Sequence, residues 1–249
     1  MRLDRVTITG ADDSIIPNDL LKLSRQYRFV EWGILASASV GPDAGSFRFP
    51  SAPWIAELIG VARRVGNISL SLHLCGRWVR ELLVGDVHIP ELLLAPEFQR
   101  IQLNFHAERT PCKAPEFFNA MLSLGKRQYI FQIDGAKGNA HLESLYGENN
   151  GDQTVDAVPL FDISGGAGIL PTEWPKPQYM DDDTTCCYHG YAGGLGPDNL
   201  EQQIPLIGAA AGETPIWIDM ETRVRSSDDS RFDLDKVARC LEIAKPHIS

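Results

Sequence analysis

Residues 68–74 read Ile68-Ser69-Leu70-Ser71-Leu72-His73-Leu74, an alternation of apolar and polar side chains. A period of two marks a β-strand, because successive side chains leave opposite faces of the pleat. Leu70, Leu72 and Leu74 share one face, and Ser69, Ser71 and His73 share the other. The flanking stretches Ala52–Val65 and Arg77–Val84 instead place apolar residues at helical spacing. A strand between two helices, apolar toward them and polar on its far side, fits a parallel sheet whose polar face turns inward.

The same unit recurs along the chain. Strands are expected at Leu3–Thr9, Phe29–Leu35, Ile68–Leu74, Arg100–Phe105, Gln128–Ile133, Ala157–Asp162, Cys187–Ala192 and Pro215–Met220. Helical patterns fall at Pro17–Arg25, Ala52–Val65, Arg77–Val84, Pro115–Leu124, Gly138–Tyr146, Pro197–Ala211 and Leu234–Ala244. Pro17 and Pro197 supply helix-start signals. The stretch 171–183, with three prolines and Asp181-Asp182-Asp183, is expected to be a loop. Eight strands with helices between them predict an α/β fold, a single (β/α)8 TIM barrel spanning 1–249 as one domain. The 249-residue length suits that barrel.

Alternation places Gln102 and Asn104 of the fourth strand, Gln132 and Asp134 of the fifth, and Trp217, Asp219 and Glu221 of the eighth inside the barrel. Polar groups therefore collect at the C-terminal strand ends, where barrels of this type bind ligands. The net charge of −10 speaks against a nucleic-acid or anionic-membrane surface and leaves a small anionic ligand open. No stretch has the length of a membrane span, and the N-terminus shows no signal-peptide pattern. Five cysteines at irregular spacings fit reduced thiols and a cytoplasmic location.

Two segments carry a resemblance. Phe161-Asp162-Ile163-Ser164-Gly165-Gly166-Ala167-Gly168, followed by Trp174, and Ala192-Gly193-Gly194-Leu195-Gly196-Pro197-Asp198-Asn199 resemble the sixth and seventh strand ends of the phosphoribosylanthranilate isomerase family of tryptophan biosynthesis. Ser46-Phe47-Arg48-Phe49, Ile101-Gln102-Leu103-Asn104 and Ile218-Asp219-Met220-Glu221 resemble further segments of that family. The resemblance implies Asp162 as general acid and Gly193 and Gly194 as a phosphate cradle. Gly165, Gly166 and Gly168 would shape the neighbouring loop, and Arg48 would meet a second anionic group. Glycine amides and a helix N-terminus are suited to anions on physical grounds as well.

The family's first-strand cysteine base is replaced by Thr9, and its eighth-strand Ser-Gly phosphate loop by Thr222-Arg223-Val224-Arg225. A threonine hydroxyl is no free base near neutral pH, whereas arginine can hold phosphate. His73 is the alternative base, since imidazole titrates near neutrality, and Asp219 and Glu221 are further mouth residues for substrate. A metal among His73, Asp134, Asp219 and Glu221 is an open alternative, but no ligand motif such as H-x-H supports it, and no cofactor is expected. Cys186-Cys187-Tyr188-His189 lacks C-x-x-C spacing and fits a strand with buried thiols. Lys137 sits in a Gly-flanked loop, poorly placed for a Schiff base. The expectation is an isomerase- or lyase-type enzyme acting on a small phosphorylated substrate by acid/base proton transfer. The alternative is a non-catalytic relative that binds a phosphate ligand.

Overall fold

A computed structural model of the chain describes residues 2–39, 46–86, 88–104, 114–133, 156–164, 167–177 and 188–249. The helix expected over 138–146 lies outside the described residues. So do Asp134, Lys137, Gly165, Gly166, Asp181-Asp182-Asp183 and Cys186-Cys187.

Eight parallel strands close into one barrel in chain order: β1 (Arg2–Thr9), β2 (Val30–Ser37), β3 (Ser69–Cys75), β4 (Phe98–Asn104), β5 (Gln128–Ile133), β6 (Asp156–Phe161), β7 (His189–Tyr191) and β8 (Pro215–Met220). Described helices are α1 (Pro17–Gln26), α2 (Ala52–Val65), α3 (Arg77–Leu82), α4 (Ala114–Ser123), α5 (Leu200–Ala211) and α6 (Leu234–Ala244). The (β/α)8 class expected from the alternation is the observed one. Among the described residues no helix is long and apolar enough to cross a membrane.

Local chemistry sets the helix ends. Ser51 caps α2 by accepting from the Trp54 N–H at 3.3 Å, and Asp233 caps α6 by accepting from Lys236. The α5 helix begins at Leu200, three residues later than Pro197 suggests. Asn199 accounts for the delay: its side chain accepts from the Gly196 N–H at 3.0 Å and donates to the Gly194 carbonyl at 2.8 Å, using 194–199 as a turn.

The apolar core lies between strands and helices, with α2 contributing Trp54, Ile55, Leu58, Ile59, Val61 and Ala62. Inside the barrel the filling is divided. Ile130, Val158, Leu160, Ala192 and Trp217 make an apolar cluster from β5 to β8. The β1–β4 half is polar and centred on Glu31, which is fully buried. Its carboxylate accepts from Thr7 at 2.9 Å, Arg5 at 2.8 Å and Arg100 at 2.8 Å. Burial alone would raise its pKa, but the Arg100 and Arg5 charges and the Thr7 hydroxyl hold it below the ordinary glutamate value. The Arg100 guanidinium lies 4.2 Å over the Trp217 ring, joining the two halves.

Removing one partner of a buried ion pair leaves the other charge desolvated, a loss of about 3–5 kcal/mol. Glu31→Ala is therefore expected to lower unfolding stability by that order in urea titrations. Glu97→Ala, which unpairs the exposed Arg63, should leave the midpoint near wild type. Equal effects of the two would show that Glu31 does not organise the interior.

Candidate active site

At the C-terminal strand ends lies a cavity of about 280 Å³. Cys75, Gln102, Asn104 and Gln132 line it from β3 to β5, and Asp162 and Ser164 from the end of β6. Gly193, Gly194 and Leu195 follow β7, and Asp219, Glu221, Thr222 and Arg223 come from the β8 end. Alternation aims Cys75, Gln102, Asn104, Gln132 and Asp219 inward from their strands, and the other lining residues follow the strand ends.

The carboxylates have different surroundings. Asp162 accepts from Gln132 at 2.8 Å, from the Ser164 hydroxyl at 2.7 Å and from the Ser164 N–H at 3.2 Å. Asp219, 6% exposed, accepts from the Thr9 hydroxyl at 2.8 Å. Burial pushes its carboxyl up to about 8; the Thr9 hydrogen bond opposes this, and the Glu221, Glu31 and Asp162 charges add to it. Glu221 is also raised by burial, with Arg48 opposing. Arg48 donates through Nη1 to Glu221 and through Nε and Nη2 to Asp229, at 3.1 and 2.6 Å.

Of the residues that the sequence reading singles out, Asp162, Gly168, Gly193, Gly194, Asp219 and Glu221 line one cavity. His73 does not line it. Only 1% exposed, the imidazole lies a layer below, where burial drives its pKa down to about 3. At that value it is a weak base, and among the described residues its Nε2 has no hydrogen-bond partner. Arg48 stands behind Glu221, engaged by two carboxylates, and is not held open for a ligand. Cys75 does reach the cavity, but burial pushes its thiol up to about 12 despite an Asn104 hydrogen bond.

Gly193 and Gly194 have a packing reason to be glycine. Both have positive φ, and a Cβ at Gly194 would come within 2.7 Å of the Gly168 carbonyl oxygen and Leu170 nitrogen. The β7 and β6 loops can touch only without a side chain there. Both glycines are buried, and among the described residues no acceptor meets the N–H groups of Gly193, Gly194 or Leu195. Arg223, exposed at the same rim, makes no ion pair among the described residues.

Sequence reasoning missed Gln132 as the partner of Asp162, and Glu31 as the interior anchor. Glu31 was legible in principle, being a charged residue inside the apolar run Phe29-Val30-Glu31-Trp32. Among the described residues no three His, Cys, Asp or Glu side chains form a metal-ligand group. No protein-family model matches the chain, and no curated protein matches it in sequence. The resemblance to phosphoribosylanthranilate isomerase rests on the motif residues alone.

Asp219 makes stability depend on pH. An unfolded aspartate ionises near 3.8, the folded one near 8. Below about pH 4 both states hold the proton and nothing is lost. From pH 4 to 8 only the unfolded state releases it, so the folded state loses stability as pH rises. Asp219→Asn keeps an acceptor for Thr9 and cannot ionise. It is expected to stabilise the protein relative to wild type by a margin that grows with pH across that window, on the order of 1.4 kcal/mol for each pH unit crossed. Chemical denaturation at pH 5 and pH 8.5 measures this, and a margin independent of pH would contradict the assignment.

Proposed function

We propose that the chain is an enzyme that binds a small phosphorylated substrate in this cavity and moves a proton with Asp162 and Asp219, in an isomerase- or lyase-type reaction. The observation that carries this reading is the meeting of two sets of groups in one cavity. One offers the buried N–H groups of Gly193, Gly194 and Leu195 with the Arg223 side chain at the rim. The other offers two aspartates in unlike environments. Backbone amides and an arginine suit a phosphoryl group, and the loops after the seventh and eighth strands are where barrels of this type often hold phosphate.

Asp219, protonated at neutral pH, is the hydrogen donor of the pair. Asp162 is held by Gln132 and Ser164 so that it faces the same space. Asp219 takes the place of His73 as the second proton-transfer group, because His73 is sealed beneath the mouth. Thr9 contributes as a fixed hydrogen-bond donor and leaves the base role to others.

Inorganic phosphate is expected to raise the thermal midpoint by binding the folded state, and Arg223→Gln should reduce that shift. Incubating a panel of sugar phosphates in deuterated water reads proton transfer as label entering a carbon position. Asp162→Asn and Asp219→Asn should each lose about 10²-fold or more of the exchange while retaining phosphate binding. The replacement of the family's cysteine by Thr9 favours a second reading, a phosphate-binding protein without turnover. On that reading Asp162→Asn binds phosphate more tightly, a repelling charge having gone, and wild type exchanges no label. Absence of any phosphate effect would remove both readings.

A further inference from the structure

All three guanidinium nitrogens of Arg48 are engaged within the protein: Nη1 by Glu221, Nε and Nη2 by Asp229. Asp229 is itself locked. It has φ of 59°, its N–H donates to the Ser226 carbonyl at 2.9 Å, and its Oδ1 accepts from Arg225 Nε at 2.5 Å. Arg225 is fully buried, donates to the Gly10 carbonyl and pairs with Asp12 at 2.6 Å. Moving Asp229 away would take one of its two carboxylate partners from a desolvated guanidinium, so Arg48 is held from behind. Its other side is taken by Glu221, which lines the cavity.

We infer that Glu221 determines specificity: its carboxylate holds the place on Arg48 that an acidic group of a ligand would take, so the cavity selects ligands with one anionic group over those with two. This rests on the proposed phosphate-binding reading and names the substrate class within it. A ligand carboxylate can reach Arg48 only by displacing Glu221, whose own charge would then stand in the same cavity as Asp162 without its cation. Like charges gathered in a partly desolvated space repel strongly. The second acidic group is therefore refused by the protein's own carboxylate, while the phosphoryl group meets the Gly193, Gly194 and Leu195 amides and Arg223.

Three probes separate the contributions: ethyl phosphate, phosphoglycolate and acetate. Wild type is expected to bind phosphoglycolate at least about tenfold more weakly than ethyl phosphate, the order that a like-charge contact produces. Glu221→Gln and Glu221→Ser should each bring that ratio to one or reverse it. Acetate should perturb the Arg48 Nε–H resonance in both variants and leave it unmoved in wild type. Asp229→Asn keeps Glu221 on Arg48 and is expected not to admit acetate. The inference is overturned if wild type binds both phosphates equally, if neither Glu221 variant changes the ratio, or if Asp229→Asn admits acetate as readily. Should no phosphate bind any of the proteins, the phosphate-binding reading fails, and the acetate response alone decides the role of Glu221.

Discussion

Glu31 lies at the centre of the barrel's polar half, out of reach of water, with Arg5, Thr7 and Arg100 converging on its two oxygens. These groups come from β1, β2 and β4, and Ser69 on β3 lies 3.5 Å away. A lone carboxylate in such a place would be driven to its neutral form, and a lone guanidinium would lose its hydration with nothing in return. Because each needs the other, four consecutive strands are tied at one height. A one-residue slip of any of them would turn its interior side chains toward the helices and leave a buried charge unmet.

That constraint reaches the mouth through the register. Thr7 pairs with Glu31 and Glu31 with Ser69; two residues on, Thr9 pairs with Gly33 and Gly33 with Ser71. One further step up β3 and β4, His73 pairs with Gln102, and Cys75 then pairs with Asn104 at the cavity. On the other side β1 pairs with β8, which brings the Thr9 hydroxyl to Asp219. The hydrogen bond to the buried Asp219 carboxyl thus stands two residues above Thr7, which donates to the interior Glu31 from the same strand. A group held this firmly below can be carried in an unusual protonation state above, since the surroundings cannot relax to relieve it.

How much of this was legible in the sequence depended on whether a feature was local. Alternation over Ile68–Leu74 and its counterparts gave the barrel, because a period of two is a property of a few consecutive residues. The inward direction of Asp162, Asp219 and Glu221 followed from the same parity. Parity does not give depth along the barrel axis, so His73 and Asp219 looked equivalent although only one of them lines the cavity. Nor does sequence show which partners a charge meets: Arg48 reads as an open anion receptor until Asp229, 181 residues away, is seen bound to it. The start of α5 differs from the expected one for a related reason. Proline at 197 signals a helix, but the side chain of Asn199 folds back on Gly194 and Gly196 and consumes the first residues in a turn.

Thr9 stands at the end of β1, where the isomerase family that the motifs resemble has a cysteine base. A cysteine base at the end of β1 would work as an anion, giving up its proton and competing for the positive charge nearby. The threonine hydroxyl keeps its proton and donates it in a hydrogen bond to Asp219 Oδ1. With that donor committed, the titratable group at this corner of the mouth belongs to β8, and it faces Asp162 within the same cavity. The two carboxyls are then distinguished by surroundings: Asp162 is met by an amide and a serine, whereas Asp219 meets one hydroxyl inside a buried wall. Unlike environments around paired carboxyls are what divide acid from base roles in enzymes that use two of them. On the proposed function, a threonine at residue 9 is therefore compatible with catalysis, provided the proton moves between β6 and β8 and does not involve β1.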